Sequence, residues 1–144
     1  MRGAVYAYAA GLGLALGTLL PAAAQESQWH AQLARVPIDA TTAAKITGHG
    51  EAAAELRGHE LRITGSFEQL AGAATRAELH EGAYKAVRGK TIAELGVSQA
   101  DSGTISASLQ LTAEQIDALR TGRLYIEIHS QRAPDGDLWG WLLQ

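Results

Sequence analysis

RLYIEIHSQRAPDGDLWGWLLQ, residues 123–144, alternates apolar and polar side chains, turns, and returns. Leu124, Ile126 and Ile128 fall on one side of an extended chain and Tyr125, Glu127 and His129 on the other, because successive side chains of a strand point to opposite faces. Pro134-Asp135-Gly136 carries turn chemistry: proline presets its φ, aspartate bonds its own backbone, and glycine accepts a positive φ without steric cost. Asp137 to Leu143 comes back as a second strand, with Leu138 and Leu142 on one face and Trp139 and Trp141 on the other. In an antiparallel hairpin the two tryptophans then lie beside Tyr125, Glu127 and His129.

The same period of two recurs upstream. GTISASLQL (103–111) sends Ile105, Ala107, Leu109 and Leu111 one way and Ser106, Ser108 and Gln110 the other, the pattern of a sheet with one wet face. QWHAQLA (28–34), HELRITGSF (59–67), TRAELHE (75–81) and residues 91–95 read as further strands. Pro37 ends the first of them, because proline cannot donate to a ladder. Residues 39–46 read as a loop. ITGHGEAAAEL (46–56) is ambiguous, its alanines and glutamates leaning to helix and Gly48 and Gly50 leaning away. One helix is predicted over 112–121: Thr112 and Gln115 make a capping box, Ile116 and Leu119 an apolar stripe, and Gly122 a stop. Many short strands with a single helix predict an all-β fold, a β-sandwich or Greek-key barrel.

The amino end, MRGAVYAYAAGLGLALGTLLPAAAQ, has Arg2, an uncharged apolar run and then Ala22 and Ala24 in a small-x-small arrangement. That is the form of a cleavable secretory signal. The expectation is a signal peptide over 1–24 and a single domain over 25–144, periplasmic or secreted. Gly3 to Leu20 is barely long enough to span a bilayer and is diluted by glycine, so no stable membrane insertion is expected after cleavage. Cysteine is absent, which excludes disulfides, a lipid-anchored amino terminus, thiol catalysis and cysteine-built zinc sites. With 12 Lys+Arg against 15 Asp+Glu, the chain has no electrostatic footprint for nucleic acid.

No nucleophile elbow, phosphate loop, dinucleotide fingerprint or H-E-x-x-H motif is present. The histidines carry more. His30, His49 and His59 sit in polar or glycine-flanked settings and read as surface residues. His80 and His129 each stand near the end of a predicted strand, on its non-core face, with Glu78 and Glu127 two residues earlier on the same face. If those strands meet, two imidazoles and two carboxylates converge, a donor set suited to copper or zinc. The plainer alternative is a solvated polar face. Trp139 and Trp141 are open in the same way, between packing under another segment and an exposed contact patch.

TAEQIDALRTGRLYIEIHSQRAPDGDLWGWL (112–142) resembles the closing half of the CHRD domain, the chordin-type module also found in exported bacterial proteins. Ala118-Leu119, Gly122, Leu124-Tyr125, His129, Pro134, Gly136, Gly140 and Leu142 stand at matching places. ATRAELHEG (74–82) resembles an upstream family segment through Ala77, His80 and Gly82, and residues 29–56 look like its opening. The resemblance implies an immunoglobulin-like or superoxide-dismutase-like Greek-key β-sandwich and makes 46–56 a strand. It implies no enzymatic activity. Glu78 replaces the first histidine of the family's H-x-H pair, Glu127 replaces an asparagine, and Trp139 and Trp141 stand where arginine and glutamine are usual.

The expected function is therefore a non-enzymatic binding module for a protein or small ligand. It uses the face around His80 and His129, with Tyr125, Trp139 and Trp141 as partner contacts. The alternative is a copper or zinc protein with His80, His129, Glu78 and Glu127 as ligands.

Overall fold

A computed structural model describes residues 26–84 and 87–144; the expected signal segment lies outside the described residues. Eight strands and one helix follow in the order β1 (Ser27–Arg35), β2 (His49–Arg57), β3 (Glu60–Glu68), β4 (Ala74–Glu81), β5 (Lys90–Val97), β6 (Gly103–Gln110), α1 (Ala113–Arg120), β7 (Leu124–Ser130) and β8 (Leu138–Trp141). All ladders are antiparallel, in the spatial order β1-β2-β3-β6-β5-β4-β7-β8, and β8 closes on β1. The run β3-β6-β5-β4 is a Greek key, the meander β4 to β6 with the preceding β3 lying beside the last of the three.

Closure decides between the two architectures that the strand pattern allowed. The residues left a β-sandwich or a Greek-key barrel, the family resemblance implied a sandwich, and the structure is a closed barrel. Two short seams make the difference: Gly96 and Val97 pair with β6, and Ala34 and Arg35 pair with β8. Inward and outward residues alternate identically in both architectures, so alternation cannot tell them apart. At the second seam the chains approach closely, and a Cβ on Gly140 would press on the Gln32 carbonyl and the Leu33 side chain. Only glycine lets β8 lie that near β1.

The barrel interior is filled by alternate residues from every strand, among them Trp29, Leu33, Leu61, Ile63, Phe67, Leu79, Ile105, Ile126 and Ile128. Each such side chain contributes roughly 1.5–3 kcal/mol when wholly buried, which in a chain without disulfides is the main source of stability. The alanine-rich segment is strand β2, with Ala52, Ala54 and Leu56 inward. Pairing on both sides, to β1 and β3, overrides its helical leaning. Helix α1 covers the core with Ile116, Ala118 and Leu119. Its capping box is formed: Gln115 N–H donates to Thr112 Oγ1 at 3.2 Å and Thr112 N–H to Gln115 Oε1 at 2.9 Å. Thr112→Ala is expected to cost about 1 kcal/mol, read as a lower urea midpoint at constant slope.

The outer face of strand β7, which the sequence left between a binding face and a solvated polar one, is covered: all seven residues of the strand are buried. Arg88 and Gly89, just before β5, lie over it, with Gly89 N–H donating to Tyr125 Oη at 2.9 Å, and Trp139 and Trp141 pack beside it. At the far end of β7, Asp137 is wholly buried and accepts a 2.6 Å hydrogen bond from Ser130 Oγ. Burial raises its pKa above the ordinary 3.8. The folded state therefore holds that proton more tightly than the unfolded chain, and this contribution is lost as pH rises from 3.8 through the raised value. Asp137→Asn is expected to be more stable than the parent at neutral pH, with the gap closing below pH 3.8. A gap that widens toward acid would show that the burial argument is wrong.

Candidate metal centre

Strands β4 and β7 are neighbours, with Arg76 opposite His129, Glu78 opposite Glu127 and His80 opposite Tyr125. Period two turns all six side chains outward on one patch, and directly opposed residues have Cβ atoms about 4.5–5.5 Å apart. Glu78, His80 and His129 each bring one ligand atom within 4.8 Å of the others. Glu78 Oε2 lies 3.0 Å from His129 Nε2 and 3.4 Å from His80 Nε2. Glu127 stands next to them, its Oε2 3.7 Å from His80 Nε2 and its Oε1 2.8 Å from Arg88 Nη1.

Each imidazole is held from behind. His129 Nδ1 is 2.9 Å from the Pro134 carbonyl, which can only accept, so Nδ1 carries the proton. Arg76 Nη2 also lies 3.4 Å from Nδ1, but it is a donor as well, and the shorter contact decides the tautomer. In the neutral ring Nε2 then carries the lone pair, on the side of Glu78. His80 stacks on Tyr125, rings 4.9 Å apart and 10° from parallel, with Thr91 Oγ1 3.4 Å from its Nδ1. His80 is 6% exposed and His129 4%. Neither Nε2 has a hydrogen bond of acceptable geometry among the described residues.

With both rings neutral and protonated at Nδ1, three Lewis-basic atoms converge where water is largely excluded. Left alone they repel; a proton or a metal ion between them removes the repulsion. Donors bonded to one zinc ion at about 2.0–2.2 Å sit roughly 3.3 Å from one another in a tetrahedral site, close to the two distances around Glu78 Oε2. The imidazole whose far nitrogen donates to a backbone carbonyl is also the usual orientation of a ligating histidine.

Of the residues expected to form a site, Glu78, His80 and His129 are brought together and Glu127 adjoins them. Tyr125 is different: at 0% exposure it lies beneath Trp141 and Trp139, at ring separations of 4.4 and 6.0 Å, and supports His80 instead of meeting solvent. That burial raises its hydroxyl pKa, and the Gly89 hydrogen bond opposes the rise. Trp139 and Trp141 are half-buried, which places them between the two readings the sequence left open. His30, His49 and His59 are exposed, as expected. The arginines were missed. Arg76 Nε reaches Glu78 Oε2 at 3.5 Å, and Arg88 reaches Glu127. Arg76 shares the outer face of β4 and was visible in the alternation; Arg88 comes from a loop, where no periodicity announces a partner.

Gly136, at φ +127°, completes the set: a Cβ there would overlap Glu127 Oε1. The family resemblance read at Tyr125, His129, Gly136 and Gly140 therefore falls on residues that build this patch and the seam beside it. A family model described as the CHRD domain matches residues 29–142. No curated protein and no solved structure matches the chain. The match covers nearly the whole barrel, from Trp29 in β1 to Leu142 just after β8, and the chain belongs to the CHRD domain family.

Proposed function

We propose that this protein is an exported, non-enzymatic binding module whose ligand is one divalent metal ion, zinc or copper(II), held by Glu78, His80 and His129. The observation that carries the reading is the pair of buried Nε2 atoms, both without hydrogen bonds among the described residues and both within 3.4 Å of the same carboxylate oxygen. Two imidazoles and a carboxylate suit borderline metals better than calcium or magnesium, which prefer all-oxygen sets. The ligands stand on adjacent strands of a closed barrel, so little ordering cost remains for binding. Export belongs to the same proposal and rests on the amino-terminal signal pattern.

Recognition of a partner through Tyr125, Trp139 and Trp141 has less support, because Tyr125 has no exposed surface and the tryptophans are half covered. Calorimetric titration of the metal-free protein with zinc and with copper(II) tests the proposal. One ion per chain at micromolar affinity or tighter is expected. Absence of saturable binding with either ion would overturn it.

A further inference from the structure

We infer that Arg88 is a resident counter-cation on Glu127, displaced when a metal ion binds, and that this exchange makes Glu127 the fourth ligand. The inference rests on the metal reading above and adds what regulates the site. Glu127 is 1% exposed and therefore needs a positive partner at all times. Its Oε1 has Arg88 Nη1 at 2.8 Å, yet the contact lacks hydrogen-bond alignment. Its Oε2 points the other way, 3.7 Å from His80 Nε2, on the side of the three converging donors.

Arg88 itself is loosely placed. Its side chain is 51% exposed, it donates to the Asp135 carbonyl at 3.3 Å, and its guanidinium lies 5.4 Å from the centre of the Trp139 ring. It can therefore return to water at little cost, whereas Glu127 cannot. Charge balance points the same way. Without metal, Glu78 and Glu127 are matched by Arg76 and Arg88. A dication arriving beside both guanidiniums is repelled by them in a water-poor site. Expulsion of Arg88 relieves that repulsion and frees a carboxylate that is already within reach.

The test is zinc titration of the wild-type protein, Arg88→Gln, Glu127→Gln and the double variant. Arg88→Gln is expected to tighten zinc binding by roughly tenfold or more, the usual scale of coupling between two ligands that compete for one site. The gain should vanish in the Glu127→Gln background, since interacting residues are non-additive. Zinc bound by Arg88→Gln and not by the wild type overturns the exchange, because Arg88 is then not displaced by the ion. Wild-type binding left equal or weakened by Arg88→Gln overturns this inference while the metal reading stands; no binding by either protein overturns both. Should Arg88→Gln not fold, the Arg88 side-chain NMR signal of the wild type decides. Zinc is expected to shift it toward that of a free, solvated arginine, and an unchanged signal upon zinc binding rejects the exchange.

Discussion

His129→Ala is expected to weaken zinc binding at least ~100-fold, beyond the range seen when a residue behind a ligand is lost. The substitution removes one of two imidazole donors and leaves Glu78 Oε2 with His80 alone at 3.4 Å. It also removes the contact to the Pro134 carbonyl, one of several ties between β7 and the turn before β8. His80→Ala should act comparably on affinity, because its Nε2 approaches the same oxygen. Its loss would further uncover Tyr125, against which the ring stacks. A solvated polar face would behave otherwise: both variants would bind zinc as weakly as the parent. Calorimetry with the metal-free proteins reads the difference.

Trp29→Ala is expected to lose about 3–5 kcal/mol of stability, the largest structural effect predicted. Trp29 is 1% exposed and projects into the barrel from β1, the strand that pairs with both β2 and β8. Its removal leaves a cavity that strands bonded on both sides cannot collapse to fill. Trp139→Ala and Trp141→Ala should cost less, roughly 1–2 kcal/mol each, since half-buried rings forfeit only part of the transfer free energy of a wholly buried one. Urea midpoints compared at constant slope test this order. Equal losses at all three positions would mean that Trp139 and Trp141 are core residues after all.

Much of this architecture was legible as alternation. The inward rows Leu124-Ile126-Ile128 and Ile105-Ala107-Leu109, the capping box at Thr112 and Gln115, and the placement of Glu78 with His80 on one face all follow from local rules. Closure of the barrel was not, because it depends on two-residue seams at Gly96-Val97 and Ala34-Arg35 that leave no periodic trace. The burial of Tyr125 and Glu127 was equally hidden. It is produced by a connection whose Arg88 and Gly89 meet β7 from far along the chain, and a polar residue in an alternating strand looks the same whether water or a loop covers it. The candidate site was legible in its ligands and illegible in its counter-charges. Strands carry a period that pairs residues; loops do not.

X-ray absorption spectroscopy of the zinc-loaded protein tests the central claim most directly, since it reports the atoms bonded to the ion. The account predicts two imidazole nitrogens at about 2.0–2.1 Å and carboxylate oxygen at about 2.0–2.2 Å, with no sulfur. A shell of water oxygens without imidazole scattering would contradict it.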